Sequence, residues 1–95
     1  MMLTWNVTYH CKPGQREDFY HALCGLGIRE NSIHEDGNLK YDYFFAAEAP
    51  DDLLLVETWT TPALQKTHCE TAIFAQLQAL KARYCDSVSI DKFNY

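Results

Sequence analysis

Positive charge is scarce in this 95-residue chain, with eight Lys and Arg against thirteen Asp and Glu and a net charge of −5. The eight cations, Lys12, Arg16, Arg29, Lys40, Lys66, Lys81, Arg83 and Lys92, are scattered and form no run. Phosphate-backbone binding needs clustered cations, so nucleic acid is excluded as a partner. No apolar stretch approaches the ~18 residues of a membrane span, and no membrane partner is expected. Met1-Met2-Leu3-Thr4-Trp5-Asn6 lacks the basic region and apolar core of an export signal, which points to a cytoplasmic protein. Cys11, Cys24, Cys69 and Cys85 form no C-x-x-C pair, so they read as reduced thiols. His10, His21, His34 and His68 make no H-x-x-x-H or H-E-x-x-H pair and read as non-ligating, so no metal or cofactor is expected. Linkers, repeats and low-complexity segments are also lacking. One domain is expected.

What the chain does have is apolar content, 47% hydrophobic and 14% aromatic. So small a domain leaves much of its surface exposed, and surplus apolar residues predict burial against a second copy. Leu3, Trp5, Val7, Tyr9 and Cys11 alternate with polar residues, which predicts a strand over Leu3–Cys11. Lys12-Pro13-Gly14 ends it, Pro13 opens a helix, and Phe19, Leu23 and Leu26 give that helix its buried stripe. A short helix is predicted over Ile28–Glu35, ended by Asp36-Gly37. Asn38–Ala46 and Asp52–Thr60 read as a hairpin about the turn Ala49-Pro50-Asp51. Thr61-Pro62 starts a helical region that places Leu64 and His68 on one face. After a break near Glu70-Thr71, Ile73, Phe74, Leu77, Leu80 and Tyr84 mark a second segment. A weaker strand closes the chain over Asp86–Tyr95. The order β-α-β-β-α-β predicts an α+β, ferredoxin-like split βαβ domain with an antiparallel sheet. Leu53 to Val56 is apolar on both strand faces, so the sheet should be covered twice, by helices and by the sheet of a homodimer partner.

Three segments together carry a family resemblance. They are Leu3-Thr4-Trp5-Asn6-Val7 with Lys12-Pro13-Gly14 and Phe19, then Glu35 to Asp42, then Val56-Glu57-Thr58-Trp59 with His68, Thr71 and Phe74. The sequence resembles the antibiotic biosynthesis monooxygenase family of dimeric α+β barrel proteins, most specifically in Glu-x-Trp followed nine residues later by histidine. Quinol monooxygenases and the processing enzyme of the autoinducer-2 signal resemble it about equally. The resemblance implies cofactor-free oxygenation of a small quinol or phenol, with O₂ as co-substrate. Its alternatives are isomerisation of a small sugar-like carbonyl compound, or a non-catalytic ligand-binding module. Where many relatives carry Thr-Pro-His, this chain has Thr71-Ala72-Ile73, so a two-histidine mechanism is not expected. Leu55 replaces the asparagine of the polyketide-oxidising branch. No histidine lies near Gln78-Ala79, where the haem-degrading branch would need its iron ligand.

Oxygenation without a cofactor needs a base, hydrogen bonds to the substrate anion and a dry pocket. His68 is the expected base; by spacing alone it is equally a buried histidine with a satisfied hydrogen bond. Trp59 is expected to stack on a flat substrate, or else to be a core aromatic. Glu57 shares its strand face and needs a partner, His68 or a dimer contact such as Arg29. Asn6 is expected to hold a substrate oxygen, the alternative being a polar strand face. Tyr41, Tyr43, Phe44 and Phe74 are expected to divide between core and pocket wall. Asn38 reads as turn chemistry. Cys69, about 100° round the helix from His68, is expected to lie off the site. A phosphate would need a basic anchor, and none is evident from the sequence.

Overall fold

Alternation over nine residues produces β1, Leu3–Cys11, whose odd positions Leu3, Val7, Tyr9 and Cys11 are buried in the computed structural model, which describes residues 1–95. The chain then turns at Pro13-Gly14, where Gly14 takes φ +75° and donates its N–H to Asp51 Oδ1. Helix α1 runs over Arg16–Leu26, so Pro13 lies in the turn before the helix and does not open it. The Gln15 N–H donates to the Lys12 carbonyl, and that tight turn precedes the first helical residue. Glu17 and Asp18 occupy the first turn of α1, where the helix dipole favours them. Phe19 and Leu23 are its buried face, and left-handed Gly27 closes it.

Helix α2 spans Ile28–Ser32 and is shorter than the sequence predicts. Residues beyond it form successive turns, in which the Glu35 N–H donates to Ser32 and the Asn38 N–H to Glu35. The hairpin strands are β2, Asn38–Phe45, and β3, Asp52–Trp59. Helix α3, Pro62–His68, has Thr61 as its N-cap; α4, Ala72–Tyr84, has Thr71 as its own. Strand β4 covers Cys85–Asn94.

The strands form one antiparallel sheet in the order β2-β3-β1-β4, the ferredoxin-like topology. Leu53, Leu55, Glu57 and Trp59 of β3 face the helices with the odd residues of β1. Phe19, Leu23, Ile28, Tyr41 and Leu77 complete that core. The other face has no helix over it. It carries Thr4, Asn6, Thr8 and His10 of β1, and Leu54, Val56 and Thr58 of β3, all half-buried, with Phe44 and Phe93 exposed beside them. His10 is hydrogen-bonded there through both ring nitrogens. Its Nδ1 lies 2.9 Å from Asp52 Oδ1 and its Nε2 2.7 Å from Ser89 Oγ, tying β3, β1 and β4 together. No helix is long and apolar enough to cross a membrane.

Candidate active site

His68 ends α3 with its side chain turned under the sheet, leaving the residue 3% exposed. An imidazole so placed needs a polar partner, and Glu35 supplies it, with Oε1 2.8 Å from Nδ1. A carboxylate only accepts, so Nδ1 carries the hydrogen of this bond. Aromatic rings surround it: Trp59 at 4.9 Å between centroids, Phe74 at 5.4 Å and Tyr41 at 5.7 Å. Thr71 fixes both ends of this arrangement. Its hydroxyl donates to the His68 carbonyl at 2.8 Å and accepts the Phe74 N–H at 3.2 Å.

Trp59 is fully buried, and its ring packs against His68 at a tilt of 38°. Its indole Nε1 donates to Glu57 Oε1 at 2.7 Å. This bond joins two residues on one strand face and gives Glu57 a hydrogen-bond partner within the chain; His68 does not bond to it. Within the chain Arg29 pairs with Asp42 and Glu30. Burial pushes the Glu57 carboxyl above the ordinary carboxylate range, against the opposing pull of the indole N–H and of His68.

Glu57 opens onto a cavity of about 60 Å³ between the sheet and helices α3 and α4. Trp5, Val7, Phe74, Leu77, Val88 and Ile90 form its apolar wall; Tyr9, Gln65, Cys69 and Lys81 are polar with Glu57. His68 and Trp59 are not among these lining side chains. They stand behind Glu57 and Phe74, so the structure makes them supports of the wall.

The expected site residues therefore separate. Glu57 and Phe74 line the cavity, and Tyr41 packs on His68 behind it. Asn6 does not join them: it pairs in register with Val56 and Asp91, while the neighbouring Trp5 pairs with Glu57, so strand alternation sends Asn6 to the uncovered face. Phe44 is 46% exposed on that same face, and the pocket-wall expectation is corrected for it too. Tyr43 points to the helix side but packs edge-on against Tyr20, lining a separate groove at α1. Cys69 does border the cavity, receiving a hydrogen bond from Gln65 Nε2 at 3.2 Å, because the Pro62–His68 helix ends there and the 100° spacing no longer applies.

Sequence reasoning missed Glu35 and Lys81 as site residues. Nothing local marks Glu35, whose carboxylate reaches His68 across 33 positions. Lys81 had a signal, since it follows the buried Leu77 by one helical turn and shares its face. No three His, Cys, Asp or Glu side chains converge as a metal-ligand set.

A buried histidine–carboxylate pair, a buried tryptophan–carboxylate bond and a small cavity thus lie together under a split βαβ sheet. The antibiotic biosynthesis monooxygenase family profile matches residues 2–80. The chain belongs to that family. The relative named "Putative monooxygenase YcnE" from Bacillus subtilis (strain 168) is 32% identical over 73 residues, covering 77% of this chain and 75% of the relative. A solved structure from Nitrosomonas europaea, titled "Putative antibiotic biosynthesis monooxygenase", superposes with a TM-score of 0.90 at 24% identity, covering 99% of this chain and 89% of that one. A conserved protein from Methanosarcina mazei Go1 gives a TM-score of 0.88 at 20% identity, over 99% and 92% of the two chains. These two share the fold.

Proposed function

We propose that this protein is a cofactor-free monooxygenase that oxidises a small quinol or phenol, with Glu57 taking the substrate proton. The observation that carries this reading is the Glu57 carboxylate, raised by burial and opening onto a largely apolar cavity. A carboxylate so raised is a stronger base near neutral pH, and a dry wall protects the anion it creates. The deprotonated substrate transfers an electron to O₂. Over the reaction the substrate supplies four electrons, one oxygen atom enters the product and the other leaves as water. His68 and Trp59 act as positioning residues: Glu35 grips the imidazole, the imidazole packs on the indole, and the indole N–H holds Glu57.

Oxygen uptake by the metal-free protein over a panel of quinols and catechols, against no-enzyme controls, tests the reading. Uptake above autoxidation should fall on the order of 10²-fold or more in Glu57→Gln, the scale of a lost general base. His68→Asn should cause a smaller loss. No uptake with any compound, or full uptake in Glu57→Gln, sinks it.

One observation favours a second reading, isomerisation of a small phosphorylated carbonyl compound by the same base. Lys81 supplies at the cavity the cation that a phosphate would need. Conversion of such a compound without oxygen consumption would select it.

A further inference from the structure

Lys81 sits in the last turn of α4, where the helix dipole favours a cation, but on the side of the helix that faces the cavity. It lies on the inward face of α4, one turn after fully buried Leu77, at a position that an apolar residue would fill. Its side chain is half-buried against the cavity, with the ammonium 5.8 Å from the Phe74 ring. No carboxylate lies within ion-pair distance of it; Lys12, Lys66, Arg83 and Lys92 are unpaired as well, but Lys81 alone among the cations lines the cavity. Burial holds it below the ordinary lysine range, opposed only by the thiols of Cys85 and Cys69. A cation withdrawn from water and left unpaired gains most from an anion delivered to it.

The rest of the cavity suits the same occupant. Besides Lys81 it offers the Tyr9 hydroxyl and the Gln65 amide, while Trp5, Phe74 and Ile90 supply flat or apolar wall. About 60 Å³ is far below the several hundred Å³ of a pocket for a drug-sized ligand, so it takes a small molecule or one end of a larger one. We propose that Lys81 is the anion anchor of this site, and that the substrate is a small molecule carrying a carboxylate or phosphate group paired with the Lys81 ammonium. This rests on the reading of the cavity as the substrate site, and it adds the charge of the substrate. Glu57 from the sheet and Lys81 from α4 then divide the work, the carboxylate taking a proton and the ammonium fixing the ligand's charged end.

Binding, measured apart from turnover, tests the proposal. Two matched pairs would be titrated by tryptophan fluorescence and calorimetry: 4-hydroxybenzoate with its methyl ester, and phenyl phosphate with phenol. Wild type should bind at least one anion about tenfold or more tightly than its neutral partner, with the preference shrinking at high salt. Lys81→Met should lose that preference and Lys81→Arg keep most of it, both giving wild-type circular dichroism. The pair that shows the preference tells a carboxylate from a phosphate. Equal binding of acid and neutral partner, no binding of any of the four, or a preference surviving in Lys81→Met overturns the anchor. Anion binding without oxygen uptake would leave the anchor standing and remove the oxygenase reading alone.

Discussion

Glu57 is the residue whose surroundings make the sharpest demand. It is 5% exposed, and the Trp59 indole is its one hydrogen-bond donor from the chain. Because burial raises its folded-state pKa, the folded protein keeps the proton to higher pH than the unfolded chain does. Its stabilising contribution is therefore full below the unfolded value and is lost as pH rises through the folded one. Glu57→Gln keeps an acceptor for the indole and removes the ionisation. The variant should match wild type in thermal unfolding near pH 4 and exceed it increasingly toward pH 8; a constant gap would show that Glu57 is not strained by its charge. The Glu57–Trp59 proximity was legible from strand alternation. The choice of Trp59 over His68 as its partner was not, since only the packed ring positions decide which donor reaches the carboxylate. Asn6 failed at the same scale, for it stands one residue from the side of the strand on which it would have been useful.

At the scale of elements, the site hangs on two connections. Gly37 follows Glu35 by two residues and adopts φ +81°, with its carbonyl accepting the Thr60 N–H at 2.8 Å. A Cβ there would sit 2.5 Å from Leu64 Cδ1 and 2.7 Å from Thr60 Oγ1. Gly37→Ala combines a left-handed alanine with that crowding and should cost about 2 kcal/mol or more of stability in denaturant unfolding. A loss well under 1 kcal/mol would mean that the turn relaxes freely. Thr71→Ala removes the cap of α4 and the bond to the His68 carbonyl, and should cost about 1 kcal/mol. If the site depends on that link, turnover should fall by more than this stability loss explains, measured well below the unfolding temperature. Sequence periodicity foretold the strands to within a residue and the break before α4, because alternation and capping threonines are local. It overran α2 and started α1 early. Pro13 and Asp36-Gly37 both permit a helix boundary, and the hydrogen bonds of the turns, which link Lys12 to Gln15 and Ser32 to Glu35, decided where each boundary falls.

For the whole molecule, the open question is the face that no helix covers. Leu54 and Val56 stand at its centre, half-buried by neighbours within one chain, with Phe44 and Phe93 exposed on the two edge strands. We propose that a second copy buries this face, sheet against sheet about a twofold axis. His10, Asp52 and Asp42 share the face, so the contact would be mixed in polarity and its hydrogen-bond chain would be shielded on assembly. Val56→Asp places a carboxylate beside Asp42, its register partner on β2, in the middle of that surface. Charge left unpaired at a buried contact is strongly unfavourable, so the variant should sediment as a monomer where wild type sediments as a dimer. The cavity opens on the opposite side of the sheet, between it and the helices, so ligand binding by the monomeric variant should survive if each chain carries its own site. Wild type sedimenting as a monomer at micromolar concentration would remove the sheet-to-sheet dimer. A monomeric variant that binds no ligand, though still folded by circular dichroism, would instead mean that the second copy helps to hold the cavity's shape.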